Sequence, residues 1–168
     1  MQKHKDKNFC AQPHRMQPGT EIDIDDRFRG ELKTLRLPPR VAIIGNTMLQ
    51  EIARHLLAVH APDITIDDSA ETTIALMSME QYGASFLESF LEEHNPPSPH
   101  TLLSSIPETA LQEYARKHGI ERVDDEKSDV RKMLDGIAVN QPQTYFSLAK
   151  SAKRLQNAAE ALREQDKR

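Results

Sequence analysis

The clearest hydrophobic pattern lies in the middle of the chain, from Ser69 to His94. Asp67, Asp68 and Ser69 offer an N-cap before it, and prolines at 96, 97 and 99 prevent the helix from continuing. The sequence therefore predicts one central helix of roughly 26 residues, far longer than an average globular helix. Residues spaced by three and four positions place one apolar face on this helix: Leu76, Met79, Gly83, Phe86, Leu87 and Phe90.

The small residue near the midpoint of this predicted helix is Gly83. A small side chain at that point suggests that a second helix crosses closely there. The alternative is an ordinary core helix in which the glycine costs about 1 kcal/mol.

Shorter patterns precede the central helix. Residues 25–35 predict a helix that ends before Pro38 and Pro39, and residues 46–59 predict another with an apolar face. Between them, residues 41–45 (VAIIG) are ambiguous, because their β-branched side chains favour a strand while the following residues have helical periodicity. Residues 63–67 alternate polar and apolar side chains, as in a brief strand or an extended loop.

Three further helices are predicted after the proline-rich break. Residues 101–106 are a short extended candidate, and Pro107 suits the first turn of a helix that ends at His118 with Gly119 as its C′ residue. Residues 124–137 predict a charged helix, which residues 140–142 break. The last helix carries an a/d stripe, which predicts either self-association or packing on its own domain: Tyr145, Leu148, Ala152, Leu155, Ala159 and Leu162.

Charge is distributed unevenly among the 168 residues, whose formal net charge is -4. Residues 1–40 carry nine basic and six acidic side chains, residues 41–100 one and nine, and residues 101–168 twelve and eleven. Any contact with a polyanion is therefore expected from the ends of the chain. The aromatic content of 5% and the absence of Trp predict a modest core without a large enclosed active site.

The single cysteine, Cys10, excludes a disulfide framework and favours a reducing, intracellular compartment. The N-terminal residues lack an apolar core of signal-peptide length, and no apolar run approaches 18 residues. We therefore expect no membrane span.

The predicted order of short helix, loop, long helix, loop and short helix over residues 44–119 resembles the histone fold. Four segments carry the resemblance: 50–53 (QEIA), 63–70 (DITIDDSA), 86–95 (FLESFLEEHN) and 106–108 (IPE) with Leu111. The resemblance implies an all-α fold, a dimer clasped through the long helix, a partner that is the chain itself or another histone-fold protein, and a role in DNA packaging or transcription. It also implies a location in the nucleus or nucleoid.

The predicted loops depart from the histone pattern, because the first has Thr65 among carboxylates and the second has no Lys or Arg. This departure favours relatives of histones that pair with proteins, and DNA contacts would come from basic side chains elsewhere. The candidate DNA-binding residues are Arg27, Arg29, Lys33, Arg36, Arg40, Lys150, Lys153 and Arg154. The candidate dimer interface is Leu76, Met79, Gly83, Phe86, Leu87, Phe90, Leu148, Leu155 and Leu162.

Catalytic chemistry has little support in the sequence. A βαβ unit from residue 41 to residue 67 would suit a nucleotide-binding α/β enzyme, but no G-x-G-x-x-G or G-x-x-x-x-G-K-[ST] motif follows the first strand. The seven His residues are scattered, and the acidic pairs precede helices, where capping explains them. We therefore predict no catalytic residue, no metal and no cofactor.

The sequence thus predicts an all-α protein with a disordered basic tail at 1–24, a histone-like domain at 25–120 and a helical extension at 121–168 that could form a coiled coil. Dimerisation or higher association is its expected function, with DNA contacts from the basic flanks. Two alternatives stay open: a helical interaction adaptor without DNA binding, and a small α/β nucleotide-binding enzyme.

Overall fold

The computed structural model describes residues 22–92, 97–98 and 100–165, without the side chains of residue 160 and residues 162–165. Cys10 therefore lies outside the described residues, and so does the predicted tail apart from residues 22–24. The elements, in chain order, are α1 (Ile24–Leu35), β1 (Arg40–Ile44), α2 (Thr47–His60), β2 (Thr65–Ile66), β3 (Thr73–Leu76), α3 (Met79–Leu91), β4 (Thr101–Leu102), α4 (Glu108–His118), α5 (Asp129–Asn140) and α6 (Thr144–Gln165).

A parallel sheet with the strand order β2-β1-β3-β4 lies at the centre of the molecule. Ile43 of β1 pairs with Ile74 of β3, and Leu76 of β3 pairs with Leu102 of β4. The fold is therefore α/β, and the predicted all-α, histone-like fold class is wrong. The ambiguous residues 41–45 form most of β1, and β1, α2 and β2 make the βαβ unit expected for the nucleotide-binding alternative.

The predicted central helix from Ser69 to His94 is also wrong. Its first part is the strand β3, and α3 begins ten residues later than predicted, at Met79, behind a capping box formed by Ser78 and Gln81. Asp67 accepts hydrogen bonds from the backbone N–H (2.8 Å) and hydroxyl (2.7 Å) of Ser69 in a turn, and so it does not start a helix. The physical reason is that Thr73, Ile74 and Ala75 pair with β1, where the side chains of Ile74 and Ala75 are buried.

Two hydrophobic cores stabilise the fold. The first lies between one sheet face and the helices α1, α2 and α4, and it includes Phe28, Ile43, Ile52 and Leu102. The second joins α3, α5 and α6, so that the predicted extension shares a core with the central segment. An alanine Cβ at Gly45, which follows β1, would lie 2.8 Å from the Cβ of Leu76, and only glycine permits this close approach.

The local helix predictions are confirmed for α1, α2 and α4, each within a residue or two of its predicted bounds. Gly119 ends α4 in the left-handed conformation, with φ of 68°. A helix does cross at Gly83: α6 lies there, with Leu148 Cδ2 at 3.4 Å from the position of an added Cβ. This crossing occurs within one chain.

Candidate functional site

The carboxyl ends of β1 and β3 border a crevice of about 340 Å³. In open α/β sheets, ligands bind at the point where the strand order reverses, which here lies between these two strands. Gly45 and Asn46 approach this crevice from β1, and Met77 and Gln81 approach it from β3 and α3. The topology therefore makes this crevice the first candidate for a ligand site.

A carboxylate of the chain itself lies in this crevice. One oxygen of Asp125, from the segment between α4 and α5, accepts hydrogen bonds from the side-chain amides of Asn46 and Gln81, both at 2.6 Å. This charge repels phosphate groups, and the two amides that could bind a ligand are engaged. The crevice is thus poorly suited to a nucleotide.

The helix N-termini around the crevice are capped by side chains of the chain. Asn46 caps α2, Ser78 caps α3 and Ser128 caps α5, each by accepting a backbone N–H. Glu80 accepts the N–H of Glu108 at the start of α4, at 2.7 Å. Since helix N-termini bind phosphate through such N–H groups, capping leaves fewer donors for an anion.

A buried ion pair joins these elements. The Arg131 guanidinium, only 5% exposed, donates to the Glu108 carboxylate and thereby connects α5 with α4. Burial lowers the pKa of Arg131, but the charge and hydrogen bond of Glu108 outweigh burial and raise it. Burial also raises the pKa of Glu80, next to this pair. We interpret the cluster as structural, because Glu108 neutralises the buried Arg131, whose Nε has no hydrogen-bond partner in the structure.

A second, polar pocket of about 490 Å³ lies beside β4, between α1 and α6. Glu31 of α1, 6% exposed, forms its floor and accepts backbone N–H groups from Leu103 and Ser105, both at 2.6 Å. The same carboxylate accepts the Ser104 hydroxyl at 3.1 Å and the Lys153 ammonium of α6 at 3.2 Å. Leu103 adopts φ of 69°, a strained value for leucine, so the carboxylate holds an unusual loop in place.

The candidate DNA-binding residues lie in several environments. Arg27 and Lys153 meet at the polar pocket, where Arg27 donates to the carbonyl of Ser105. The others are distributed as follows: Arg29 pairs with Asp26, Arg40 pairs with Asp67, Lys150 lies 5.9 Å from the Phe146 ring centroid, and Lys33, Arg36 and Arg154 are exposed. DNA binding stays a prediction that the fold does not test.

The candidate dimer residues divide into two groups. Leu76, Met79 and Gly83 are buried inside the chain, and Phe86 packs against the second core. Leu87 and Leu148 line a surface groove, whereas Phe90 and Leu155 are exposed by 74% and 55%. The side chain of Leu162 lies outside the described part of the structure. Four predicted residues therefore remain at the surface.

The groove between α3, α5 and α6 is mainly apolar and is lined by Leu87, Leu134, Ile137 and Leu148. Helical spacing places Phe90 and Leu91 one turn beyond Leu87, Met133 one turn before Ile137, and Leu155 two turns beyond Leu148. We call these residues the α3–α5–α6 face. Of the nine large apolar side chains that are exposed in the described residues, seven lie on these three helices.

The sequence reasoning missed Glu31, Asp125 and Ser105. Glu31 could have been recognised from the sequence, because it follows Ile24 and Phe28 on the apolar stripe of α1. A carboxylate at a buried position needs a hydrogen-bond or charge partner. Asp125 and Ser105 left no local signal, since their contacts join segments that are distant in the chain.

In the residues that the structure describes, no three His, Cys, Asp or Glu side chains gather as metal ligands, and none of the helices has the length and apolar character to cross a membrane. A comparison of the chain with protein-family models, with curated proteins and with solved structures finds no match.

Proposed function

We propose that this chain is a non-enzymatic association domain that forms a two-fold dimer through the α3–α5–α6 face. The observation that carries the proposal is the concentration of exposed large apolar side chains on these three helices. Monomeric proteins rarely expose such a patch unless it binds something.

The size of the face suits an interface. A half-exposed large apolar side chain leaves on the order of 100 Å² accessible, so Phe90, Leu91, Met133, Ile137 and Leu155 together offer roughly 500 Å². Groove residues and a polar rim extend this area toward the ~800 Å² per partner of a standard interface.

The charges of the face favour a second copy as the partner. The helix α3 and its C-cap carry Glu80, Glu88 and Glu92 and no Lys or Arg, whereas the middle of α6 carries the exposed Lys150 and Arg154. Packing α6 of one copy against α3 of the other places opposite charges together, and a two-fold axis forms the same contact twice. Pairing α6 with α6 would instead bring like charges together.

The crevice at the carboxyl ends of β1 and β3 supports association over catalysis. Its amides bind Asp125, and the helix N-termini beside it are capped by the chain itself. The nucleotide-binding alternative therefore keeps its topology, but in the part of the chain that the structure describes this crevice offers no free side-chain amide or uncapped helix N-terminus for a phosphate. The proposal retains an intracellular location, which the single cysteine supports.

The test is the solution mass of the full chain at micromolar concentration, measured by sedimentation equilibrium. We expect a dimer, and we expect Phe90→Glu and Leu155→Glu each to weaken it. Burying one such side chain contributes about 1.5 kcal/mol or more, and each substitution occurs twice per dimer, so the dissociation constant should rise about 100-fold or more.

The matched control is Val59→Glu, which changes an apolar side chain of similar exposure (59%) on α2, away from the face. This variant should remain a dimer. A monomeric wild type, or a dimer that Phe90→Glu and Leu155→Glu leave unchanged, would overturn the proposal.

A further inference from the structure

The polar pocket between α1, β4 and α6 has more hydrogen-bond donors than the chain itself satisfies. Glu31 is largely engaged, because one of its oxygens accepts from Ser104, Ser105 and Lys153 and the other accepts from Leu103. Its carboxylate therefore has little capacity left for a ligand, and the remaining recognition must come from the other pocket residues.

Those residues are mainly donors. Lys153 has used one of its three N–H groups on Glu31, and Arg27 uses one of its five on the Ser105 carbonyl. The two cations face one carboxylate, so the pocket keeps an excess of positive charge and at least two charged donors without a partner in the described part of the chain. An oxyanion matches this surplus, since charge-assisted hydrogen bonds are roughly twice as strong as neutral ones.

The rest of the lining suits an organic body attached to that oxyanion. Leu35 supplies apolar surface and Asn157 of α6 supplies an amide, whereas the amide of Gln156 is engaged by the Tyr82 hydroxyl and by the Pro97 carbonyl. Burial and the Glu31 charge raise the pKa of Tyr82 to about 12, so its hydroxyl stays protonated and donates to Gln156 at 2.6 Å. The Ser105 hydroxyl oxygen is buried without a hydrogen-bond partner in the structure, an orphan group that a ligand or water can satisfy.

We propose that this pocket binds a small organic anion, whose carboxylate or phosphate group lies between Arg27 and Lys153. The volume of about 490 Å³ is in the range of small-molecule sites. The pocket is separate from the proposed dimer face, because Lys153 lies about 140° around α6 from Leu148. The two proposals can therefore fail independently.

The test is isothermal titration of the full chain with three probes: inorganic phosphate, glycerol 3-phosphate and citrate, with chloride at equal ionic strength as the reference. We expect saturable binding of at least one probe. Binding of the phosphates alone identifies a phosphate ligand, and binding of citrate alone identifies a carboxylate. Both results support the site.

Substitutions then locate the binding. Lys153→Met and Arg27→Gln should each weaken the bound probe about tenfold or more, while Lys153→Arg should retain binding. Lys150→Met is the matched control, because it removes the same charge from α6 at a residue outside the pocket. Circular dichroism of each variant shows whether the fold is retained.

Absence of binding by all three probes would overturn the proposal. So would equal weakening by Lys150→Met and Lys153→Met, since that result indicates only non-specific attraction to the charge of α6. A folded Lys153→Met variant with unchanged affinity would have the same consequence.

Discussion

Replacement of Glu31 by alanine should destabilise the fold more than any surface substitution. The change removes the acceptor for the buried N–H groups of Leu103 and Ser105 and for the buried hydroxyl of Ser104. Each buried donor without a partner costs about 1–3 kcal/mol, so three donors correspond to roughly 3–9 kcal/mol. Because the Ser105 N–H is only partly buried, we expect a loss of roughly 3–6 kcal/mol in the free energy of unfolding. This loss is large against the total of about 5–15 kcal/mol for a typical protein.

The assay is urea unfolding followed by circular dichroism, in a buffer without phosphate or carboxylate so that ligand binding does not contribute. Glu31→Gln should cost about half as much, because its amide keeps one acceptor oxygen and the overall shape. The control is Glu51→Ala on α2, whose exposed carboxylate lies 3.9 Å from Arg54 and should contribute less than about 0.5 kcal/mol.

A loss below about 1 kcal/mol for Glu31→Ala would refute this reasoning. It would mean that water satisfies the loop as well as the carboxylate does, and that the φ of 69° at Leu103 does not depend on Glu31. The number of free hydrogen-bond donors inferred for the polar pocket would then also need revision.

Two further predictions concern glycine and tyrosine. Gly45→Ala should lower the unfolding free energy by about 1–3 kcal/mol, because the new Cβ would lie 2.8 Å from the Cβ of Leu76. Its control is Gly136→Ala on α5, which has open space around it and should raise the unfolding free energy by about 0.5–1 kcal/mol. Equal effects in urea unfolding would contradict the tight contact at β1. The raised pKa of Tyr82, about 12 in the fold against 10.0 unfolded, stabilises the protein below pH 10.0, and this contribution is lost as the pH rises toward about 12. Between about pH 9 and about pH 11, the unfolding free energy of Tyr82→Phe should therefore fall less than that of the wild type. If the unfolding free energies of both proteins fall equally, the Tyr82 hydroxyl is solvated in the fold.

The sequence by itself determined the elements that depend on local interactions. The helices α1, α2 and α4 were predicted because a periodic apolar face, a nearby cap and a proline or glycine boundary act within a few residues. The small size of Gly83 likewise predicted a helix crossing, since close approach needs only the absence of a side chain.

The apolar spacing between Leu76 and Phe90 did not determine its own secondary structure. Short apolar runs fit a buried strand as well as a helix, and Leu76 and Met79 belong to different cores in spite of their helical spacing. Only pairing with β1 makes Thr73–Leu76 a strand, and the two-residue strands β2 and β4 likewise exist through their neighbours. The fold class therefore depended on contacts that sequence periodicity does not contain.

The stripe on α6 shows the same division within one helix. The sequence predicted its apolar positions: Tyr145 and Ala152 pack on the chain itself, whereas Leu155 is exposed and its self-association stays a prediction. The tertiary structure decided where the stripe leaves the core, because α3 and α5 cover only its first turns. The tertiary structure also determined where the polar pocket forms. Its residues Glu31, Ser105 and Lys153 come into contact only when the sheet, α1 and α6 are assembled.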